Sequence, residues 1–156
     1  HAPVWFFSNA LLFWPLRARE RRPGSTASLS NGAGRLRLIA PPSRNHAAVL
    51  SGLDTVEPGG TTPLAEGIRV AHETAKRELR RNPDLRPVVA LVTDGYANVS
   101  RDGDPLGEAR KAARVLRQDG ITLVVIGETG SGAPQFARAT GAEFYPFDPP
   151  SQRSAA

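Results

Sequence analysis

The chain contains neither cysteine nor methionine among its 156 residues. The first absence removes disulfides, thiolate nucleophiles and cysteine-ligated zinc. The second leaves His1 at the start, so the chain reads as a fragment, a processed form or a product of cloning. Lysine is scarce too: the 20 basic residues are eighteen arginines and two lysines, Lys76 and Lys111. No apolar run reaches the roughly 20 residues that a membrane-spanning helix needs. Residues 4–16 hold Trp5, Phe6, Phe7, Phe13 and Trp14, but the positive charge follows this run instead of preceding it. It therefore reads as neither anchor nor export signal, and a cytoplasmic location is expected.

Charge is unevenly placed. The formal net charge of +5 comes from residues 1–44, which carry seven arginines against the single acid Glu20. Residues 45–156 hold eleven arginines and two lysines against fourteen acids and are close to neutral. A nucleic-acid surface would place basic and aromatic side chains together on the folded part, so no nucleic-acid partner is expected. Three regions follow: an atypical segment over 1–34 without regular structure, one folded domain over 35–150, and a tail over 151–156.

The folded part alternates strands and helices. Leu36–Ile39 reads as a short edge strand ended by Pro41-Pro42, and Asn45 can cap a helix over 46–56. A longer helix over 63–81 places Leu64, Ile68, Ala71, Ala75 and Leu79 on one face. Its far face carries Arg69, Glu73, Lys76, Arg77 and Arg80, and the Glu73–Lys76 and Glu73–Arg77 pairs read as solvated helix supports. The apolar strand Val88–Thr93, a helix from Pro105 to Gln118, a strand over 121–126, a helix over 134–140 and a strand over 143–147 complete the pattern. This predicts an α/β fold of three layers, a mostly parallel sheet with helices on both faces and right-handed crossovers. The predicted core is Leu38, Val49, Leu53, Leu64, Ile68, Ala71, Val89, Leu91, Leu106, Ala109, Leu116, Leu123 and Val125.

In such a sheet, chemistry collects at the carboxyl ends of the strands. The run Val88-Val89-Ala90-Leu91-Val92-Thr93 delivers Asp94-Gly95 there. Gly59-Gly60-Thr61-Thr62 presents two hydroxyls just before a helix opened by Pro63. A threonine hydroxyl and an aspartate carboxylate on neighbouring loops are hard oxygen donors suited to Mg²⁺. Asp-Gly is also a turn signal, but a buried strand leading into it favours a site. Glu66 complements the helix dipole, and Asp104 before Pro105 has the place of a helix cap. Asp102 lies in the same loop. His1, His46 and His72 have no carboxylate or metal-ligand spacing and read as structural. Residues 127–132 match a phosphate loop only in their glycines.

Taken in order, the segments Gly-Gly-Thr-Thr-Pro-Leu-Ala-Glu-Gly-Ile, Leu-Val-Thr-Asp-Gly-Tyr-Ala-Asn-Val, Asp104-Pro105-Leu106 and Gly120–Ile126 resemble a von Willebrand factor A-type domain. The resemblance is sharpest to the C-terminal A domain of magnesium-chelatase D subunits, with cobalt-chelatase subunits also similar, and it runs from about Arg35 to Asp148. It implies a metal-ion-dependent adhesion site with Thr62 (or Thr61) and Asp94 as ligands, and Gly60, Gly95 and Asp104 near a partner. It also implies a non-catalytic assembly role alongside an ATPase ring subunit and a porphyrin-binding subunit, with Mg²⁺ as cofactor.

One part of that pattern is missing. The family's first metal loop, Asp-x-Ser-x-Ser directly after the first strand, occurs nowhere in this chain. Thr26-Ala27-Ser28-Leu29-Ser30 copies only its serine spacing and reads as coincidence. The first strand is therefore expected to be absent or replaced, with residues 4–14 as the replacement, and Mg²⁺ binding is expected to be weak or absent. The change in character near residue 34 reads as truncation or an upstream frame change. The competing reading is a Mg²⁺-dependent hydrolase using Asp94, for which no assisting acid, His or Lys is placed by sequence.

Overall fold

A computed structural model describes residues 9–17, 25–31, 35–43, 64–97 and 102–146. The elements are strands β1 (Asn9–Arg17), β2 (Ser25–Asn31) and β3 (Arg35–Ser43), then helix α1 (Leu64–Arg81) and strand β4 (Leu85–Thr93). Helix α2 (Pro105–Gln118), strand β5 (Thr122–Gly127), helix α3 (Ala133–Thr140) and strand β6 (Glu143–Pro146) follow. They build one six-stranded sheet in the order β3-β2-β1-β4-β5-β6.

The α/β class follows from β4, β5 and β6, which pair in parallel and are joined by α2 and α3. Along β4 the residues Leu85, Pro87, Val89, Leu91 and Thr93 are buried, alternating with less buried ones. β5 repeats this with Leu123, Val125 and Gly127. These strands meet all three helices in one core through Ile68, Ala71 and Ala75 of α1, Ala109, Ala113 and Leu116 of α2, and Phe136 and Ala137 of α3. Small alanines on the facing sides of α1 and α2 let the two backbones approach closely while the strands supply the bulk. No helix among the described residues is long and apolar enough to cross a membrane.

Of the predicted core, Leu64, Ile68, Ala71, Val89, Leu91, Ala109, Leu116, Leu123 and Val125 are buried, and Leu106 is partly buried against them. Val49 and Leu53, with the helix read over 46–56, lie outside the described residues. Leu91 is fully buried at the centre of the sheet. Leu91→Ala should therefore lower unfolding stability by about 2–5 kcal/mol through lost transfer energy and an unfilled cavity. An unchanged denaturant midpoint would contradict that packing.

The N-terminal half departs from expectation in three respects. β1 occupies the slot beside β4, as a replacement strand would, but it runs antiparallel, with Asn9 opposite Thr93 and Arg17 opposite Leu85. This pairing also starts β4 at Leu85, three residues before the apolar run that marked it in the sequence. Second, β2 lies inside a stretch that has no readable period, and it is held by antiparallel ladders to β1 and β3. Pairing on both sides overrides weak local pattern. Third, β3 continues through Pro41-Pro42 to Ser43, where its ladder with β2 shifts register. An edge strand has one ladder only, so prolines are tolerated there. Half of the sheet is thus an antiparallel meander and half is parallel. Thr26–Ser30 sits within β2 and not in a loop, which removes it as a stand-in for the missing metal loop.

Candidate functional site

The carboxyl end of β4 is fixed by two short turns. Buried Thr93 accepts a hydrogen bond at Oγ1 from the Gly95 amide at 3.0 Å, and Asp94 Oδ1 accepts one from the Tyr96 amide at 3.0 Å. Each side chain satisfies a backbone donor two residues on. Gly95 is pressed against the start of α3: a Cβ built on it would lie 2.1 Å from the Gly132 carbonyl carbon and 2.3 Å from the Ala133 amide nitrogen. Gly127, ending β5, is pressed in the same way against the Thr93 carbonyl, 2.4 Å from a built Cβ. Asp94, Gly95 and Gly127 are therefore brought together on a rigid edge. Tyr96 projects from it with 64% of its surface exposed.

Beyond this turn the chain enters α2. Asp104 Oδ1 accepts the Gly107 amide at 2.9 Å, and Pro105 follows in the first turn. Asp104 is accordingly the helix cap that its place before proline suggests. Glu66 in the first turn of α1 pairs with Arg69 at 3.3 Å, as a carboxylate near a helix N-terminus does. Thr62, its alternative Thr61, and Gly60 lie outside the described residues.

Among the described residues no group of three His, Asp or Glu side chains is assembled for a metal ion. Asp94 Oδ1 accepts the Tyr96 amide, and Asp94 brings one carboxylate and one charge to this edge. Mg²⁺ requires near-octahedral oxygen coordination and gives up water reluctantly. The described donor set does not fit a complete Mg²⁺ site.

Other contacts escaped the sequence reading. Glu108 is buried, accepts the Asp102 amide at Oε1 at 2.7 Å, and meets Arg69 Nη2 at 3.5 Å through Oε2. Arg69, on the far face of α1, lies part-exposed between Glu66 and Glu108. His72, read as having no carboxylate, is buried with Nε2 2.6 Å from Asp119 Oδ2, a pair separated by 47 residues of chain. The signal was present in the periodicity: positions 108, 112 and 116 form one stripe of α2, and 68 and 72 one stripe of α1, so each polar residue interrupts an inward face. Away from this edge, on β6, the Tyr145 hydroxyl donates to Glu143 Oε2, and that hydrogen bond and the carboxylate charge push the phenol above its ordinary pKa.

Residues 8–97 match the von Willebrand factor type A domain, more than half of the chain. The chain belongs to this family. Among similar proteins of this A-type domain, the magnesium-chelatase 60 kDa subunit of Rhodobacter capsulatus is 37% identical over 94 residues, covering 57% of the chain and 16% of that protein. The subunit of the same name from Cereibacter sphaeroides is 34% identical over 115 residues, covering 70% of the chain and 20% of the relative. An uncharacterized protein of Mycobacterium tuberculosis is 40% identical over 110 residues, covering 67% of the chain and 17% of its own length. The chain thus spans a fifth or less of the length of these curated relatives. The family match reaches back through β1.

Proposed function

We propose that this A-type domain is a protein-binding and assembly module of a magnesium-chelatase-type complex, with no catalytic centre of its own. In such a complex an ATPase ring subunit and a porphyrin-binding subunit insert Mg²⁺ into protoporphyrin, on the way to chlorophyll or bacteriochlorophyll, in the cytoplasm. The observation carrying this reading is the braced carboxyl edge of β4, where half-buried Asp94 and exposed Tyr96 are held on a turn locked against α3. A rigid edge bearing an exposed aromatic beside a carboxylate suits recognition of another protein. The similarity to two chelatase subunits supports the kind of partner. A cobalt chelatase of cobalamin synthesis would use the same edge.

Asp94, with Thr62 or Thr61, would hold Mg²⁺ once a partner or a restored first loop supplied the remaining oxygens. When bound, the ion would supply a positive centre that attracts a carboxylate of the partner. The chain's own residues orient Asp94 and present Tyr96; they carry out no bond-making step.

The test is capture by immobilised chain, both as it stands and with an Asp-x-Ser-x-Ser loop restored on a first strand, of the ATPase ring and porphyrin-binding subunits. Both are expected to be retained by the restored version, and Asp94→Ala and Tyr96→Ala should each weaken retention about tenfold or more. No contact with either subunit would overturn the reading. Mg²⁺-dependent phosphatase or nucleotidase turnover that disappears in Asp94→Asn would replace it with a hydrolase.

A further inference from the structure

The geometry points to Glu108 as a positioning residue: with Arg69 it forms a brace that fixes Asp102, just ahead of α2, against the start of α1. This rests on the reading of that edge as the partner-binding surface.

Glu108 is 8% exposed, and carboxylates are rarely so buried unless they are paired. The ordinary reason for a glutamate in the first turn of a helix is to complement or cap the N-terminus. Here capping is done by Asp104, which takes the Gly107 amide, so the side chain of Glu108 is not needed for it. It reaches away from its own helix in two directions instead. Oε1 takes the Asp102 amide at 2.7 Å, and Oε2 meets Arg69 Nη2 at 3.5 Å. Arg69 is held in turn by Glu66 Oε2 at 3.3 Å, one turn earlier in α1. One carboxylate therefore joins two parts of the chain that are distant in sequence: the first turns of α1, and the start of α2 with Asp102 just ahead of it.

The arrangement is specific. An apolar residue at 108 would continue the stripe of Ala112 and Leu116 and fill the same space, but it could not accept from Asp102 or meet Arg69. Glu108 is buried but the Arg69 side chain is 41% exposed, so solvent screens the pair and its net contribution to stability is small. Its effect should accordingly fall on the order of the backbone at Asp102 and on partner affinity, and only weakly on global unfolding.

Amide exchange of the full chain by NMR, with partner affinity measured alongside, tests the brace. In Glu108→Ala, exchange at the Asp102 amide should rise about thirtyfold or more, while Leu91 in the core keeps its protection. Partner affinity should fall about tenfold. Glu108→Gln retains an acceptor for Asp102 but loses the charge facing Arg69, so its Asp102 exchange should rise by less than in the alanine variant. Arg69→Met should match the glutamine variant, and these two carry the test if alanine prevents folding. Exchange at Asp102 that stays unchanged, or that rises only in step with Leu91, would overturn the proposal. A restored version that ignores the chelatase subunits would sink the functional reading, while the exchange results would still decide the brace.

Discussion

Gly95→Ala is expected to be among the most damaging single substitutions in the described fold. The residue has φ +81°, a backbone conformation in which a side chain costs about 1–2 kcal/mol. The new methyl group would also fall 2.1–2.3 Å from the backbone of Gly132 and Ala133. No rotamer can relieve that contact, since the atoms in the way belong to the main chain at the start of α3. Overpacking of a rigid interior adds about 1–3 kcal/mol. Together the two effects should remove about 2–5 kcal/mol, a large part of the stability of an ordinary domain. Gly103→Ala is the control: its φ is +85°, yet a built Cβ meets nothing within 4 Å. It should lose only the conformational part, about 1–2 kcal/mol. Denaturant titration of both proteins separates strain from collision, and equal losses would mean that the close approach of Gly95 to α3 is not present in solution.

The second large effect concerns Mg²⁺. The chain alone should bind it weakly or not at all by calorimetry, because Asp94 contributes one charge and Thr62 at most one neutral oxygen. Affinity for hard cations follows the charge and rigidity of the ligand set. Restoring an Asp-x-Ser-x-Ser loop after a first strand would add a carboxylate and two hydroxyls, and should strengthen binding by orders of magnitude. Asp94→Ala in the restored protein should then abolish it. Tight, Asp94-dependent binding by the unrestored chain would mean that a ligand has been missed, and Asp102, Asp104 and Glu66 would be the first to replace. The contacts argue against two of these, since Asp104 is occupied as a cap and Glu66 by Arg69.

The parallel half of the fold was legible because its signals are local and redundant. Val88–Thr93 is a continuous apolar run, α1 and α2 carry inner stripes of Leu, Ile and Ala, and Pro105 marks a helix start. Asp94 could be found because it is the first polar residue after a buried strand. The antiparallel half was less legible. β2 is rich in serine and small residues, and its place in the sheet comes from neighbours on both sides instead of from its own pattern. Glu108, Arg69, His72 and Asp119 were missed for a different reason. Their partners lie on other elements, 39 and 47 residues away for the pairs Arg69–Glu108 and His72–Asp119. Spacing within one helix carries no information about such pairs, although a charged residue on an inward stripe does signal that a partner must exist.

The ladder between β1 and β4 also bears on how the chain reaches this arrangement. Asn9 finds Thr93 across most of the polypeptide, whereas β1 meets β2, and β2 meets β3, through short connections. The meander can thus form early, while its union with β4 awaits a costly closure and a reward that comes late. Until then β4 is an open edge with an apolar sequence, which is a template for pairing between molecules. Residues 9–17 close that edge once they pair, and a chain deprived of them is expected to be prone to aggregate before it could be tested for any function.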